Sequence, residues 1–128
     1  MAHVGYPKNF ICSNNCFKRG GGTVVIYRNT LKIKEGGSSI CKYESFEYSF
    51  IHLNNDSDKL LIICIYRKQE ISCKSFCEEL ERFMDALPDK DEELIVVGDF
   101  NVWDDASKDP DAKILRKLMS AYGLTQIV

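Results

Sequence analysis

The amino-acid sequence predicts an α/β fold for a single domain. Apolar, β-branched runs typical of strands alternate with two segments whose apolar residues recur at helical spacing, which is the pattern of a sheet flanked by helices. The chain has 128 residues, of which 45% are hydrophobic and 28% charged, a composition typical of one globular domain. A chain of this length buries roughly two-thirds of its unfolded surface, so its core needs no disulfide or metal.

The first part of the chain contains the shorter predicted elements. Residues 1–18 should be mostly loop, with a short extended piece from Asn9 to Cys12. After three consecutive glycines, the β-branched run Thr23–Arg28 predicts a strand. A turn then leads to a short strand at Leu31–Lys34, which the pair Gly36-Gly37 should end.

Two longer strands are predicted to form a hairpin in the middle of the chain. From Glu44 to Leu53 aromatic and polar residues alternate, as in a half-buried strand. Leu60–Tyr66 is continuously apolar and fits a central strand buried on both faces. His52 falls on the aromatic face, where a hydrogen-bonded structural histidine is favoured over a catalytic one because no acidic or nucleophilic residue adjoins it.

Two amphipathic helices and a further strand follow. Ser72 can cap a helix from Cys73 to Leu87. A second helix over Asp111–Tyr122 should begin with Asp109-Pro110-Asp111 and end at Gly123. Leu94–Val97 is predicted to be a second buried strand. The residues predicted to be buried are Leu61, Ile63, Ile65, Phe83 and Val96.

Charge and hydropathy narrow the class of protein. The net charge of −2 argues against a polybasic nucleic-acid binder, so weak or no nucleic-acid binding is expected. The first 50 residues nevertheless carry +4 and the remainder −6, which would steer a nucleic acid, help two copies pack, or simply form a mixed solvated surface. No apolar run is long enough to cross a bilayer. We therefore expect an intracellular protein, cytoplasmic or nuclear, with no membrane partner.

Six cysteines are expected to be free thiols in such a compartment. An alternative is a structural zinc site formed by the pairs Cys12/Cys16 and Cys73/Cys77, each with three intervening residues. Cys73 and Cys77 also fall one turn apart on a predicted helix, where cysteine is commonly a small core residue. We favour the interpretation of Cys73 and Cys77 as core residues, and no metal or cofactor is expected.

The segment Gly98-Asp99-Phe100-Asn101 carries the clearest functional signal, because it follows a predicted strand at the end where α/β sheets place functional groups. Two polar side chains at Asp99 and Asn101 point to the same side and could hold a metal-bound water and a phosphate oxygen. Gly98 allows the backbone to turn closely there. The structural alternative is a turn that caps its own backbone.

In this context the sequence resembles the endonuclease/exonuclease/phosphatase superfamily, and most closely the apurinic-like endonuclease domain of non-LTR (LINE-type) retrotransposons. The segments that match in order are Arg19–Tyr27, Leu61–Arg67, Gly98–Val102, Asp105–Ala112 and Gly123–Gln126. Together they span about residues 17–128. The resemblance implies the middle portion of a four-layer α/β sandwich with incomplete sheets, so that residues 1–128 form a single truncated domain.

The resemblance also implies roles for three residues. Asp99 would activate the attacking water, Asn101 would contact the scissile phosphate, and Tyr66 would support the phosphate and the developing charge. A divalent metal such as Mg²⁺ normally completes this centre. For Tyr66 the structural alternative is a strand-end aromatic residue.

Two parts of the family pattern are missing from this sequence. The family has a metal-binding Glu before the glycine-rich segment, whereas Glu35, Glu44 and Glu47 all follow it. It also has an Asp-His motif after the last matching segment, whereas neither His3 nor His52 stands in such a dipeptide. We therefore expect an inactive remnant that acts as a protein-binding or self-assembling module, as a homodimer above all. The alternative is a metal-dependent DNA endonuclease completed by another chain.

Overall fold

A computed structural model describes residues 10–15, 23–38, 43–54, 59–87, 92–102 and 109–127. Its elements are the strands β1 (Phe10–Asn15), β2 (Thr23–Arg28), β3 (Ile33–Ser38), β4 (Phe46–Asn54), β5 (Lys59–Arg67) and β6 (Glu93–Asp99), and the helices α1 (Cys73–Ala86) and α2 (Pro110–Ala121). The fold is α/β, as the sequence predicts. Among these elements, β1 and β2 form one antiparallel pair, and the other four strands form a mixed sheet in the order β3-β4-β5-β6.

The predicted hairpin is the centre of the larger sheet. β4 and β5 pair antiparallel from Phe46 opposite Arg67 to Asn54 opposite Lys59. α1 then returns the chain so that β6 pairs parallel to β5, with Tyr66 opposite Asp99 at the last position. This crossover through a helix is the connection that parallel strands require, and it brings the carboxyl ends of two strands to one edge.

The core lies between the helices and one face of the larger sheet. Phe46 packs edge-on against Phe76 and Phe83 of α1, with ring centroids 5.6 and 5.7 Å away. Ile63, Ile65 and the inward side of α1 are fully buried beside these rings. α2 packs against α1, and its residues Leu115, Leu118, Met119 and Tyr122 complete the cluster.

The second face of β4 is also covered, which corrects the expectation of a half-buried strand. Glu47, Ser49 and Ile51 are buried, as are Phe46 and Tyr48, which alternate with them. β2 covers this face, and the Thr23 and Ser49 hydroxyls lie 2.6 Å apart between the sheets. Three layers are thus defined: helices, the four-stranded sheet and the β1-β2 pair, consistent with a partial four-layer sandwich.

The helix termini confirm the predicted capping signals. The Ser72 hydroxyl accepts a hydrogen bond from Ser75 N at 3.2 Å, and the Asp109 carboxylate accepts one from Asp111 N at 3.0 Å. Each cap satisfies a backbone donor that has no partner within the helix. Gly123 follows α2 with a φ of +70°, the left-handed conformation that ends many helices.

The predicted bounds of two strands need correction. The extended piece expected at Asn9 to Cys12 is a paired strand that continues to Asn15. β3 does not end at the glycine pair but passes through it to Ser38, with a shift in register between Glu35 and Ser38. A β-bulge accommodates one extra residue without ending the pairing, so the glycines interrupt the register and not the strand.

β6 is not the buried strand that the sequence predicts. It is the last strand of its sheet among the described elements, and its Ile95 and Val97 side chains are 39% and 44% exposed. Val96 is half-buried on the core side, whereas the other four residues predicted to be buried are confirmed. An apolar run identifies a strand but does not say whether both of its edges have neighbours.

Candidate functional site

An open concavity lies at the carboxyl ends of β5 and β6. It has a volume of about 560 Å³ and is lined by Arg67, Gln69 and the segment Gly98–Val102. Tyr66 and Asp99 stand opposite each other in the register of the two strands, so their side chains leave the same face of the sheet. The structure therefore places two of the three predicted site residues side by side.

Gly98 permits the close contact between these strand ends. Its φ is +154°, and a Cβ atom at this position would lie 1.9 Å from the carbonyl oxygen of Ile65. No side chain can occupy that space without moving the backbone of β5. The glycine of the predicted motif is thus required by the distance between β5 and β6.

Asn101 closes the turn after β6. Its backbone N–H donates to Asp99 Oδ1 at 3.0 Å, and its φ is +50°, a left-handed conformation that asparagine adopts more readily than most residues. The turn that caps its own backbone, which the sequence offered as an alternative to a functional site, is therefore present. It orients the Asp99 carboxylate, which is exposed at the rim of the concavity.

The Asn101 carboxamide is engaged inside the protein at both of its polar atoms. Nδ2 donates to the carbonyl oxygen of Arg67 at 2.6 Å, and Oδ1 accepts from Gln69 Nε2 at 3.0 Å. Nδ2 carries a second N–H, which is the one donor that this side chain could offer to a phosphate while both bonds are kept. The third predicted site residue lies in the concavity but is directed towards β5.

Arg67 is the residue that fixes this segment, and it was not among the predicted site residues. Its side chain is buried, and its guanidinium donates to the carbonyl oxygens of Phe100, Asn101 and Ile71 at 3.2, 3.1 and 2.9 Å. The guanidinium also lies over the Phe76 ring, 5.6 Å from the centroid, within the range of a cation–π interaction. The signal was available, because Arg67 continues the inward-facing period of Leu61, Ile63 and Ile65.

His52 is a structural histidine, as favoured from the sequence. Its Nδ1 lies 2.8 Å from the Glu92 carboxylate, a partner that is distant in sequence. His52 stands opposite Leu61, five residues along β5 from Tyr66, so it is roughly 17 Å from the concavity. It cannot act on the same atom as Asp99. His3 lies outside the described residues.

Cys73 and Cys77 lie as expected for small core residues of a helix. Both are buried in α1, with their Sγ atoms 4.0 Å apart. Burial raises the pKa of both thiols, that of Cys77 to about 12. Cys16 and the Cys12 side chain lie outside the described part of the chain.

The divalent metal that the resemblance implies would find few donors here. Within the described ranges, no group of three or more His, Cys, Asp or Glu side chains is placed to hold a metal ion. Asp99 is an accessible oxygen donor, and the Asn101 amide oxygen already accepts from Gln69. This donor set fits an ion that keeps most of its water molecules, as Mg²⁺ commonly does.

Neither described helix has the length and apolar character needed to cross a membrane.

The chain was compared with protein families, curated proteins and solved structures, and only solved structures match it. No protein-family model matches the sequence, and no curated protein matches it. Among solved structures, the endonuclease domain of TRAS1, a telomere-specific non-LTR retrotransposon, superimposes with a TM-score of 0.65 at 12% identity, over 91% of this chain and 54% of that one.

Two structures of TDP2 from D. rerio also match, each with a TM-score of 0.55. One is a humanized form at 14% identity, over 92% of this chain and 46% of that one. The other is a complex with a single-strand DNA product at 13% identity, over 92% and 44%. The chain spans about half the length of the solved chains it matches. As the sequence resemblance implies, the described residues have the endonuclease/exonuclease/phosphatase fold found in a non-LTR retrotransposon endonuclease domain.

Proposed function

We propose that the chain is a retrotransposon-derived endonuclease-like remnant that has no catalytic activity and acts as a protein-binding or self-assembling module. The observation that carries the proposal is the engagement of the Asn101 carboxamide, which donates to the Arg67 carbonyl and accepts from Gln69. The residue expected to contact a phosphate thus helps to hold the protein's own turn, and a single N–H of its side chain is left for a ligand.

The chemistry of hydrolysis supports the same proposal. Asp99 can orient a water molecule, but the described histidine, His52, lies roughly 17 Å from it, and the described ranges hold no group of three or more His, Cys, Asp or Glu side chains placed to bind a metal ion. Loss of a single electrostatic donor commonly lowers the rate of a hydrolase about 100-fold or more. With neither group beside Asp99 among the described residues, hydrolysis by one chain should be negligible.

A nicking assay tests the absence of activity. Purified protein is incubated with supercoiled DNA and with an abasic-site duplex, in Mg²⁺ and in Mn²⁺, beside an Asp99→Ala variant. We expect no nicking by the wild-type protein above the level of the variant. Turnover that disappears in Asp99→Ala would show that the site is active and that the proposal is wrong.

The binding role is supported by apolar surface on β6. Ile95 and Val97 leave the face opposite the helices and are about two-fifths exposed, and no other described strand pairs with the outer edge of β6. Proteins usually cover or charge such an edge because it otherwise recruits other strands. Val24 and Ile26 of β2 add further exposed apolar side chains. A second copy of the chain is the partner we propose, in a two-fold pairing that uses the same surface twice.

Sedimentation measures this association. The wild-type protein should have the mass of two chains at micromolar concentration, and its melting temperature should rise with concentration. Replacement of Val97 by Lys should shift the mass to one chain, because the charge would be buried in the interface. Ile127→Lys is the matched control, since Ile127 is 92% exposed. A single-chain mass for the wild type would exclude the homodimer.

The alternative function is a metal-dependent DNA endonuclease completed by another chain. The observation that favours it is the pairing of Tyr66 with Asp99 beside an open concavity. A bound Mg²⁺ would polarise the phosphate and stabilise the leaving oxygen, while Asp99 orients the water and Tyr66 supports the phosphate. Activity that appears only after a partner protein is added, and that requires Asp99, would favour this alternative. DNA binding without a partner should be weak.

A further inference from the structure

One face of β6 presents two apolar side chains between two carboxylates. Glu93, Ile95, Val97 and Asp99 alternate along the strand, so their side chains all leave the face away from the helices. All four are exposed, Ile95 and Val97 by 39% and 44%. Successive residues of a strand rise about 3.3 Å, so the two acidic residues lie about 20 Å apart. This face of β6 is therefore an apolar strip with a negative charge at each end.

The backbone of β6 is open on the side away from β5. β6 pairs with β5 without interruption from Glu93 to Asp99, and it is the last strand of its sheet among the described elements. Its outward N–H and C=O groups are thus bonded to no described strand, and such an edge can pair with a strand of another chain. An added strand would place every second side chain over the apolar strip.

The other edge of the sheet is protected in a way that β6 is not. The register of β3 shifts between Glu35 and Ser38, and Lys34 is exposed on this strand. Bulges and lysine side chains are common means by which proteins prevent an edge from recruiting strands. β6 has neither a register shift nor a basic residue, so it is the edge that is open to a partner.

The two carboxylates decide which strand fits β6 best. Neither Glu93 nor Asp99 forms an ion pair with another described residue. When β6 pairs with β6 of a second copy about a two-fold axis at Val96, Ile95 faces the partner's Val97, but Glu93 then faces the partner's Asp99. Like charges directly opposite each other destabilise a sheet. A second copy therefore matches the apolar strip but not its charged ends.

We propose that β6 binds an extended segment of another protein in which two basic residues flank two apolar ones at every second position. Its backbone bonds to the edge of β6 and adds a strand to the sheet. Its apolar side chains cover Ile95 and Val97, and its basic side chains pair with Glu93 and Asp99. The pattern is the same in both chain directions, so it fits a parallel or an antiparallel strand. The segment extends the protein-binding role proposed above, on which it rests, and it displaces the second copy from β6.

Two synthetic peptides of seven residues test the proposal. Both have blocked ends, valine at positions 3 and 5 and threonine at positions 2, 4 and 6. One has lysine at positions 1 and 7, and the other has glutamate there. In a calorimetric titration at low salt, where charge pairs are least screened, the wild-type protein should bind the lysine peptide at least tenfold more tightly than the glutamate peptide.

A charge-reversed variant shows whether the two carboxylates cause this preference. Glu93→Lys/Asp99→Lys should bind the glutamate peptide more tightly than the lysine peptide, and it should fold normally because both residues are exposed. The control is Glu78→Lys/Glu81→Lys on the exposed side of α1, which changes the net charge equally and should keep the preference of the wild type. Equal affinity for the two peptides, no binding at millimolar peptide, or a preference that is not reversed would overturn the proposal.

Amide hydrogen exchange distinguishes an added strand from a purely ionic contact. The lysine peptide should increase the protection of amides in β6 and leave those in β3 unchanged. Unchanged protection in β6 at saturating peptide would contradict the proposal, because the peptide would then be held by charge alone.

Sedimentation separates this proposal from the homodimer. Saturating lysine peptide should lower a two-chain mass to the mass of one chain with its peptide. A two-chain mass that persists would show that the second copy is the stronger occupant of β6 and would overturn the proposal. A single-chain mass without peptide would contradict the homodimer alone, and the peptide titration would still decide whether β6 binds the basic segment.

Discussion

Arg67 and Asn101 hold each other through reciprocal side-chain to backbone hydrogen bonds. The Asn101 Nδ2 donates to the Arg67 carbonyl at 2.6 Å, and the Arg67 guanidinium donates to the Asn101 carbonyl at 3.1 Å. The end of β5 and the turn after β6 are therefore joined by two bonds that use the side chain of each residue once. This closed arrangement fixes the rim of the concavity independently of any ligand.

Replacing Arg67 should destabilise both the site and the fold. Arg67→Ala removes the donors to three carbonyl oxygens, and each buried acceptor left unsatisfied costs about 1–3 kcal/mol. We expect the free energy of unfolding, measured in urea, to fall by at least about 3 kcal/mol. The control is Arg82→Ala on the exposed side of α1, which should change it by less than about 0.5 kcal/mol. Similar losses in the two variants would contradict the role given to Arg67.

The centre of the sheet should not tolerate a charge. Ile63 is fully buried, and an unpaired carboxylate there would cost several kcal/mol against a total stability of about 5–15 kcal/mol. Ile63→Asp should therefore unfold the protein, as seen by loss of the far-ultraviolet circular dichroism transition. Ile127→Asp, at a residue that is 92% exposed, should melt like the wild type. An unchanged melting temperature for Ile63→Asp would disprove the assignment of β5.

Local signals were sufficient to predict the helices and the central hairpin. Ser72 and Asp109 cap the helices they were expected to precede, because a cap depends only on residues within one turn. Burial of β6 could not be predicted in the same way. Whether a strand lies at an edge depends on which other segments pair with it, and the apolar character of Ile95 and Val97 is the same in both cases.

The candidate site was predictable only in part, for a related reason. Tyr66 and Asp99 meet because both end parallel strands, which the sequence pattern indicates. Asn101 bonds to Arg67 and Gln69 because its backbone is left-handed. This conformation turns its side chain towards β5, whereas the alternation of a strand would place it on the same side as Asp99. The burial of Glu47 likewise arises from the packing of β2 on β4, which the sequence around Glu47 does not indicate.

Alkaline pH should weaken the fold through Cys77. Burial is the main reason that the pKa of this thiol is raised from 9.0 to about 12. The folded state therefore holds the proton more tightly than the unfolded state. Stability is fully present below about pH 9 and is lost as the pH rises towards 12.

The urea midpoint of the wild type should accordingly fall as the pH is raised above about 9, and that of Cys77→Ala should fall less steeply. Tyr122, whose pKa is also raised to about 12 by burial and by its bond to Asp85, contributes to the slope in both proteins. Cys73, whose pKa is also raised by burial and whose Sγ lies 4.0 Å from that of Cys77, remains in the variant. The difference between the slopes therefore reports the ionisation of Cys77 together with its effect on Cys73. Parallel slopes would show that Cys77 is not protected from ionisation.

Gly98→Ala and Gly123→Ala form the sharpest matched pair in the chain. Both glycines have positive φ, but a Cβ at Gly98 would meet the Ile65 carbonyl at 1.9 Å, whereas one at Gly123 would meet nothing within 4 Å. Gly123→Ala should therefore cost only the left-handed penalty of about 1–2 kcal/mol. Gly98→Ala must in addition push β6 away from β5. We therefore expect it to lower the free energy of unfolding by at least about 3 kcal/mol beyond the penalty for its positive φ. Urea unfolding gives the two free energies, and amide exchange should show lost protection at the ends of β5 and β6 only in Gly98→Ala. Equal costs would mean that the two strands do not approach each other as closely as the structure shows.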